Sequence, residues 1–300
     1  FQPEGAIDGL RLAFSGIPIL GTLIAMYVMR DYDVTEERAG EIRDALDKRA
    51  SDKNQKLTSV YQTDKLNKLA IADLNVDTST DINFNSKTDA EIKLLFADTL
   101  NKGLHGMCFS PYLEGQNIGD ELSEAQIRQR MEIILPYTKW TRSFACTQGN
   151  EFIPKLARER GLKTMVGAWI GSDKVKNDIE IDGLIELAKN GFVDIAVVGN
   201  EVLLRNELSE KEIIGYIRKV KEALPNIPVG YVDAYYQFIE HPNLVEVCDL
   251  VLANCYPFWE GCSIEKSSIY LKQMYAGVEQ VAKGKPVIIT ETGWPNKGDN

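Results

Sequence analysis

Histidine is scarce in this chain: His105 and His241 are the only two among 300 residues. Two are too few for a histidine-based metal site, so structural roles are expected for both. Positive charge is also short, with 34 Lys and Arg against 44 Asp and Glu and a net charge of −10. That balance argues against nucleic acid, whose phosphates reward a basic face, and reads as solvated acidic surface. The five cysteines, Cys108, Cys146, Cys248, Cys255 and Cys262, are odd in number and contain no CxxC pair. An unpaired set suits a reducing compartment. The last three are spaced by seven, which leaves two readings: buried small apolar residues, favoured by the spacing, or a zinc site. A glycine-rich phosphate loop is missing as well. Ser110-Pro111-Tyr112 follows the first buried run instead, which disfavours a dinucleotide fold. The chain opens on Phe1 and stops nine residues past Glu291. Both ends read as cut, so a longer polypeptide is expected.

Charge is absent over one stretch, 12–29 (LAFSGIPILGTLIAMYVM), bracketed by Arg11 and Arg30. Eighteen residues is the lower limit for crossing a bilayer. Gly16, Pro18 and Gly21 disfavour a soluble helix but are common in membrane ones. The competing reading is a buried core helix. Arg30, Arg38, Arg43, Lys48 and Arg49 follow the stretch against Arg11 alone before it, which predicts a cytoplasmic C-terminal side. Residues 33–50 have helical spacing, with Ala39, Ile42, Leu46 and Ala50 on one face. The two segments together resemble the last membrane helix and tail of sugar–cation symporters of the glycoside–pentoside–hexuronide group. That resemblance implies an inner-membrane protein with its following domain on the cytoplasmic side.

Residues 51–86 are polar and lack a sustained apolar period, the composition of a flexible linker with one short helix near 66–74. Thr88 and Glu91 form a capping box that opens a helix over 89–100. Its Ile92, Leu95, Phe96 and Leu100 make a stripe expected to rest on the next domain. From there, strands are predicted over 104–109, 141–144, 163–168, 195–198, 229–231, 250–253 and 287–290. Amphipathic segments fall over 124–135, 151–160, 181–189, 210–223, 244–247 and 264–283. Seven such alternations predict a parallel sheet with helical crossovers, either doubly wound or closed. Polar and aromatic residues after nearly every strand favour the closed form, an α/β (β/α)8 TIM barrel cut before strand eight. The expected organisation is a membrane helix over 1–30, a charged helix and linker over 31–87, and the barrel over 88–300.

Two stretches share one construction. VIITETGWP (287–295) runs as buried strand and then delivers Glu291 to a Gly-Trp-Pro loop. IAVVGNE (195–201) ends by presenting Asn200 and Glu201. In a closed barrel, strands four and seven lie nearly opposite, so both acids meet at the C-terminal mouth. A retaining glycosidase needs two carboxyls about 5–5.5 Å apart, one as nucleophile and one as acid then base. Each alone reads as a solvated loop acid; the matched pair argues otherwise.

Three motifs then carry a likeness: VVGNEVLLRNELS (197–209), NCYPFWEG (254–261) and ITETGWP (289–295). In this order and spacing they resemble glycoside hydrolase family 17, especially its bacterial branch, over 103–300. The resemblance implies a barrel that cleaves β-1,3-linked glucans with retention. It also implies Glu201 as general acid/base, Glu291 as nucleophile, Asn200 on the sugar 2-hydroxyl and Tyr256 on the nucleophile's carboxylate. That chemistry asks for donors around Glu291 and a more apolar or like-charged setting for Glu201. Phe109 and Phe144 stand where the family commonly has tyrosine, which removes hydroxyl contacts if they line the cleft. Arg142 matches the family's arginine, with two readings open: support for Glu291 or an ordinary interior ion pair.

Tyr112, Trp169, Tyr235, Tyr236, Phe258, Trp259 and Trp294 fall just past strand ends, where rings stack on pyranose faces or fill the core. Trp259 and Trp294 are the leading sugar platforms; Tyr112 and Tyr235 are further substrate contacts, and Asp173 and Asp233 are candidate hydroxyl ligands. The expected activity is hydrolysis of laminarin-type oligosaccharides with no metal or organic cofactor, since both carboxylates belong to the protein. Alternatives are a β-1,3-glucanosyltransferase and a non-catalytic glucan-binding domain.

Overall fold

The computed structural model describes residues 74–295 apart from residue 80. The predicted membrane stretch, the charged helix and most of the predicted linker lie outside the described residues. Among the described residues, no helix is long and apolar enough to cross a membrane.

The order is α1 (Asp89–Lys102), β1 (Leu104–Cys108), α2 (Glu124–Ile134), β2 (Thr138–Ser143), α3 (Phe152–Glu159), β3 (Lys163–Ala168), α4 (Lys174–Lys189), β4 (Ile195–Asn200), α5 (Glu210–Ala223), β5 (Val229–Ala234), α6 (Tyr235–Glu240), α7 (Pro242–Val247), β6 (Val251–Asn254), α8 (Ser267–Val281) and β7 (Val287–Glu291). The seven strands pair in parallel in sequence order, β1 through β7. The sheet curls until its ends approach: the Cys108 thiol on β1 donates to the Thr290 carbonyl of β7 at 3.2 Å. This is a nearly closed TIM-type barrel, as expected from the alternation of strand and helix.

The central strands read as unbroken apolar runs because both faces are covered. Alternate residues serve different sides. Met165, Ile195, Val197, Val232, Leu250 and Leu252 form one buried cluster. Val166, Ala168, Ala196, Val198, Tyr231, Val251 and Ala253 join the helices in another.

Several boundaries differ from expectation. Helix α4 starts at Lys174, not 181, because Asp173 caps it by accepting from the Val175 and Lys176 amides at 3.1 Å each. The predicted helix over 264–283 is a 3-10 turn at Ile264–Lys266 followed by α8. Helix α6, a six-residue turn too short for a periodic signal, was not anticipated. The Thr88–Glu91 capping box is present. However, α1 buries none of its residues, and Phe96 of the predicted stripe is exposed. Nor is the end of the predicted linker free. Leu74 packs on the main core, and Lys272 of α8 donates to the Asp77 carbonyl at 2.7 Å.

Candidate active site

The site is built where β4 and β7 end, and both strands carry the same irregularity there. Along β4 the register runs from Val197↔Gly230 to Asn200↔Val232, one extra residue on β4. Along β7 it runs from Ala253↔Ile289 to Asn254↔Glu291, again one extra residue on the outer strand. A bulge turns the side chains that follow it, and bulges recur beside active sites for that reason. On β4 the bulge needs Gly199, whose φ is +90°; an added Cβ would lie 2.9 Å from Val202 Cγ2. Glu201 then adopts φ +53°, a left-handed conformation costly for a non-glycine residue. Its amide still donates to the Val232 carbonyl at 2.8 Å.

Arg142 on β2 gathers the pair. It is almost fully buried; one Nη forms a short ion pair with Glu291, and the other donates to Asn200 Oδ1 at 2.6 Å. Its guanidinium lies 4.4 Å from the Phe144 ring centroid. Both readings of Arg142 therefore describe one contact: an interior ion pair whose acid is Glu291. Tyr256 donates to the other Glu291 oxygen at 2.9 Å. Burial, and then the Glu291 carboxylate, push the Tyr256 phenol above its ordinary value, with Glu201 contributing, so it remains a donor. Glu201 in turn accepts from Asn254 Nδ2 at 2.8 Å. The two glutamates are thus each held at a strand end by donors from neighbouring parts of the barrel, Glu201 by Asn254 and Glu291 by Arg142 and Tyr256.

Beside Asn200 opens a cavity of ≈ 320 Å³ whose walls include Phe109, Tyr112, Phe144 and Trp169. Phe109 and Phe144 both line it, so the lost hydroxyls fall inside the cleft. On the β6–β7 side, Trp259 is 76 % exposed and Trp294 38 %. Phe258 touches both edge-on, with centroid distances of 5.2 and 5.3 Å. These three rings form one aromatic ledge.

Other predicted contacts are corrected. Tyr235 is only 1 % exposed, and its hydroxyl donates to Glu260 at 3.2 Å. It is a core residue, as is Tyr236. Asp173 is spent as the α4 cap. Asp233 is fully buried and accepts from the Tyr231 hydroxyl, from Leu203 N at 3.1 Å and from Ala234 N at 2.8 Å. Desolvation raises its carboxyl to about 6. It anchors the loop behind Glu201 and faces no sugar. His105 stacks on Trp140, and His241 sits 3.2 Å from Glu210. Cys146, Cys248 and Cys255 are buried apolar residues, the last two pushed up to about 12 by burial.

Three supports escaped the sequence reading. Asn254 lies inside NCYPFWEG, immediately past the buried run of β6, and that position was its signal. Arg205 stacks 4.6 Å over Trp169 and donates to the Asn200 carbonyl. Buried Glu180 accepts from Cys146 N at 2.8 Å and Trp169 N at 2.9 Å, fixing the loops after β2 and β3. On an amphipathic helix Glu180 looks like any solvated acid.

The family model of the BtgE/BtgC glycoside hydrolase domain matches residues 106–300. The chain belongs to that family. A protein of Neosartorya fischeri named probable β-glucosidase btgE is 27% identical over 214 residues, covering 66% of this chain and 37% of its own. One of Aspergillus terreus named probable glucan endo-1,3-β-glucosidase btgC is 25% identical over 236 residues, covering 71% of this chain and 36% of its own. The chain thus spans little more than a third of these fungal members. Among solved structures, a glycoside hydrolase family 17 β-1,3-glucanosyltransferase of Rhizomucor miehei is 30% identical with a TM-score of 0.59, over 67% of this chain and 75% of that one. An active-site mutant of the Rhizomucor enzyme has been solved with laminaritriose. The BtgE/BtgC domain here carries its polar cluster at the C-terminal ends of the barrel strands, the position from which TIM barrels act.

Proposed function

We propose that the BtgE/BtgC-type domain is a retaining glycoside hydrolase of β-1,3-gluco-oligosaccharides, with Glu291 as nucleophile and Glu201 as acid/base. The observation that carries this reading is the bonding of Glu291 to Arg142 and Tyr256 while, among the described residues, the Glu201 carboxylate accepts only from Asn254. A carboxylate with two donors, one cationic, is stabilised as an anion and suits attack on the anomeric carbon. Asn200, positioned by Arg142, takes the sugar 2-hydroxyl; Trp259 and Trp294 stack on rings along the ledge, and Tyr112 lines the opposite cavity. The names of the Aspergillus and Rhizomucor relatives support the β-1,3 linkage.

Incubating the full protein with laminari-oligosaccharides and reading the products tests this. Shorter sugars with the β-anomer retained are expected; products longer than the substrate would assign transfer instead. Glu291→Ala should remove nearly all turnover, and azide should partly restore Glu201→Ala on an activated substrate. Unchanged background turnover in parent and variants alike would identify a glucan-binding domain.

We also infer that residues 12–29 tether the domain to the inner face of a membrane as the last helix of a sugar transporter. The uncharged run and the five basic residues after it support this. A tethered site would meet imported oligosaccharide at raised effective concentration. Digestion of the domain by protease added to intact cells would overturn the placement.

A further inference from the structure

Asn254 bonds to Glu201 and is itself held by β7. It ends β6, is 2 % exposed, and pairs in register with Ala234 on one side and Glu291 on the other. Its Nδ2 donates to Glu201 Oε1 at 2.8 Å, and its Oδ1 accepts from the Thr290 hydroxyl at 2.8 Å. Thr290 is the extra residue of the β7 bulge, between Ile289 and the Glu291 that pairs with Asn254. The irregularity that aims Glu291 therefore also presents a hydroxyl to Asn254. The Glu201 carboxylate fixes the amide's direction, and the Thr290 hydroxyl, able to donate or accept, anchors its other end. Turned over, Asn254 would set Oδ1 against a carboxylate oxygen, two acceptors face to face.

We propose that Asn254 is a positioning residue for the acid/base, pinning Glu201 Oε1 so that Oε2 alone carries and returns the proton. The inference rests on the glycosidase reading given above. In the first step the Oε2 proton passes to the glycosidic oxygen as its bond to the anomeric carbon breaks and the Glu291 oxygen bonds that carbon. In the second, Oε2 takes a proton from water as water's oxygen replaces Glu291. An amide N–H already bonded to Oε1 makes that oxygen the poorer base and restricts rotation of the carboxyl, so the proton stays on the oxygen free to face substrate. Thr290 acts one bond further out, by keeping the amide from turning.

The test uses two substrates in the full protein. A laminari-oligosaccharide has a sugar alkoxide as leaving group and needs the proton. A dinitrophenyl laminaribioside departs without one. The readout is kcat/KM, which covers only the steps up to the covalent intermediate. Asn254→Ala should lower it about 100-fold on the oligosaccharide and less than about fivefold on the aryl glycoside, the range of lost general-acid catalysis. Thr290→Val should repeat the pattern on a smaller scale, about fivefold against no change. Equal losses on both substrates, or no loss on either, would overturn the proposal and leave Asn254 as packing. Failure of the underlying reading looks different: the parent would turn over neither substrate, or Glu201→Ala would be as active as the parent on the oligosaccharide.

Discussion

All six residues of β4 are buried, whereas all five of β7 are half-exposed. Strand β4 is paired on both sides, with β3 and β5. Among the described residues β7 pairs only with β6, and a cavity of ≈ 280 Å³ lies along its inner face, lined also by β1 residues. The two glutamates consequently owe their positions to different parts of the chain. Glu201 is placed by backbone: a glycine bulge, a left-handed φ, and a following loop whose Leu203 amide is held by Tyr231 and Asp233. Glu291 also follows a bulge, but its φ is not left-handed, and it is held by side chains arriving from elsewhere, Arg142 from β2 and Tyr256 beyond β6. A strand with few neighbours can still hold a carboxylate firmly if buried donors converge on it.

The sharpest break of that comparison is Arg142→Met. It leaves the Glu291 carboxylate, whose side chain is 15 % exposed, without its cationic partner, and Asn200 Oδ1 without the Arg142 donor. The expected destabilisation is about 4 kcal/mol, as for removing one partner of a buried ion pair. Urea unfolding of Arg142→Met, Glu291→Gln and the double variant checks it. A double variant no less stable than Arg142→Met would show that the cost comes from the stranded carboxylate.

The backbone-held side has its own charge problem, Asp233. Its carboxyl is raised to about 6 in the folded protein by burial. The folded state therefore binds more protons than the unfolded chain between roughly pH 4 and pH 6, and stability falls as pH rises through that window. The change is about 3 kcal/mol for a shift of this size. Asp233→Asn removes it. The difference in unfolding free energy between parent and variant should move by that amount between pH 4 and pH 7, in favour of the variant at pH 7. A pH-independent difference would refute the assignment.

Gly199→Ala probes the bulge itself. The substitution forces a side chain into a left-handed conformation and onto Val202 and Ile170, at an expected cost of about 2 kcal/mol. It should also lower activity, because Asn200 and Glu201 follow directly. Chemical denaturation and turnover measured together would separate a stability loss from a misplaced acid.

How much of this could be read in advance also divides along the two strands. Apolar runs 195–198 and 287–290, each soon followed by an acid, pointed to the strands and to both glutamates, because an apolar run that delivers an acid is a plain pattern. The bulges left no such trace: Gly199 reads as any turn glycine, and Thr290 as one more β-branched strand residue. Side chains placed by tertiary contact were misjudged in both directions. Tyr235 and Asp233 fall past the predicted end of strand five as a sugar ligand would, yet β5 runs on through Asp233, and both side chains are buried. Asn254 and Glu180 looked unremarkable because their partners lie 53 and 34 residues away. A sequence shows which residues reach a strand end, and not which way each turns on arriving.

The smallest expected effect is the most direct test of backbone against side-chain control. At Glu201, with φ +53°, glycine should be tolerated better than alanine, since only alanine retains the left-handed strain. The expected advantage of Glu201→Gly over Glu201→Ala is about 1 kcal/mol. Both variants lose the carboxylate, so the lost Asn254 contact cancels in the difference. At Glu291 the order should reverse. That residue ends a strand and is not among the residues with positive φ, so glycine is expected to be about 0.5–1 kcal/mol worse than alanine. Four variants and one denaturant series measure both differences. Equal signs at the two positions would mean that the left-handed turn at Glu201 carries no strain, and that its acid, too, is held by side chains.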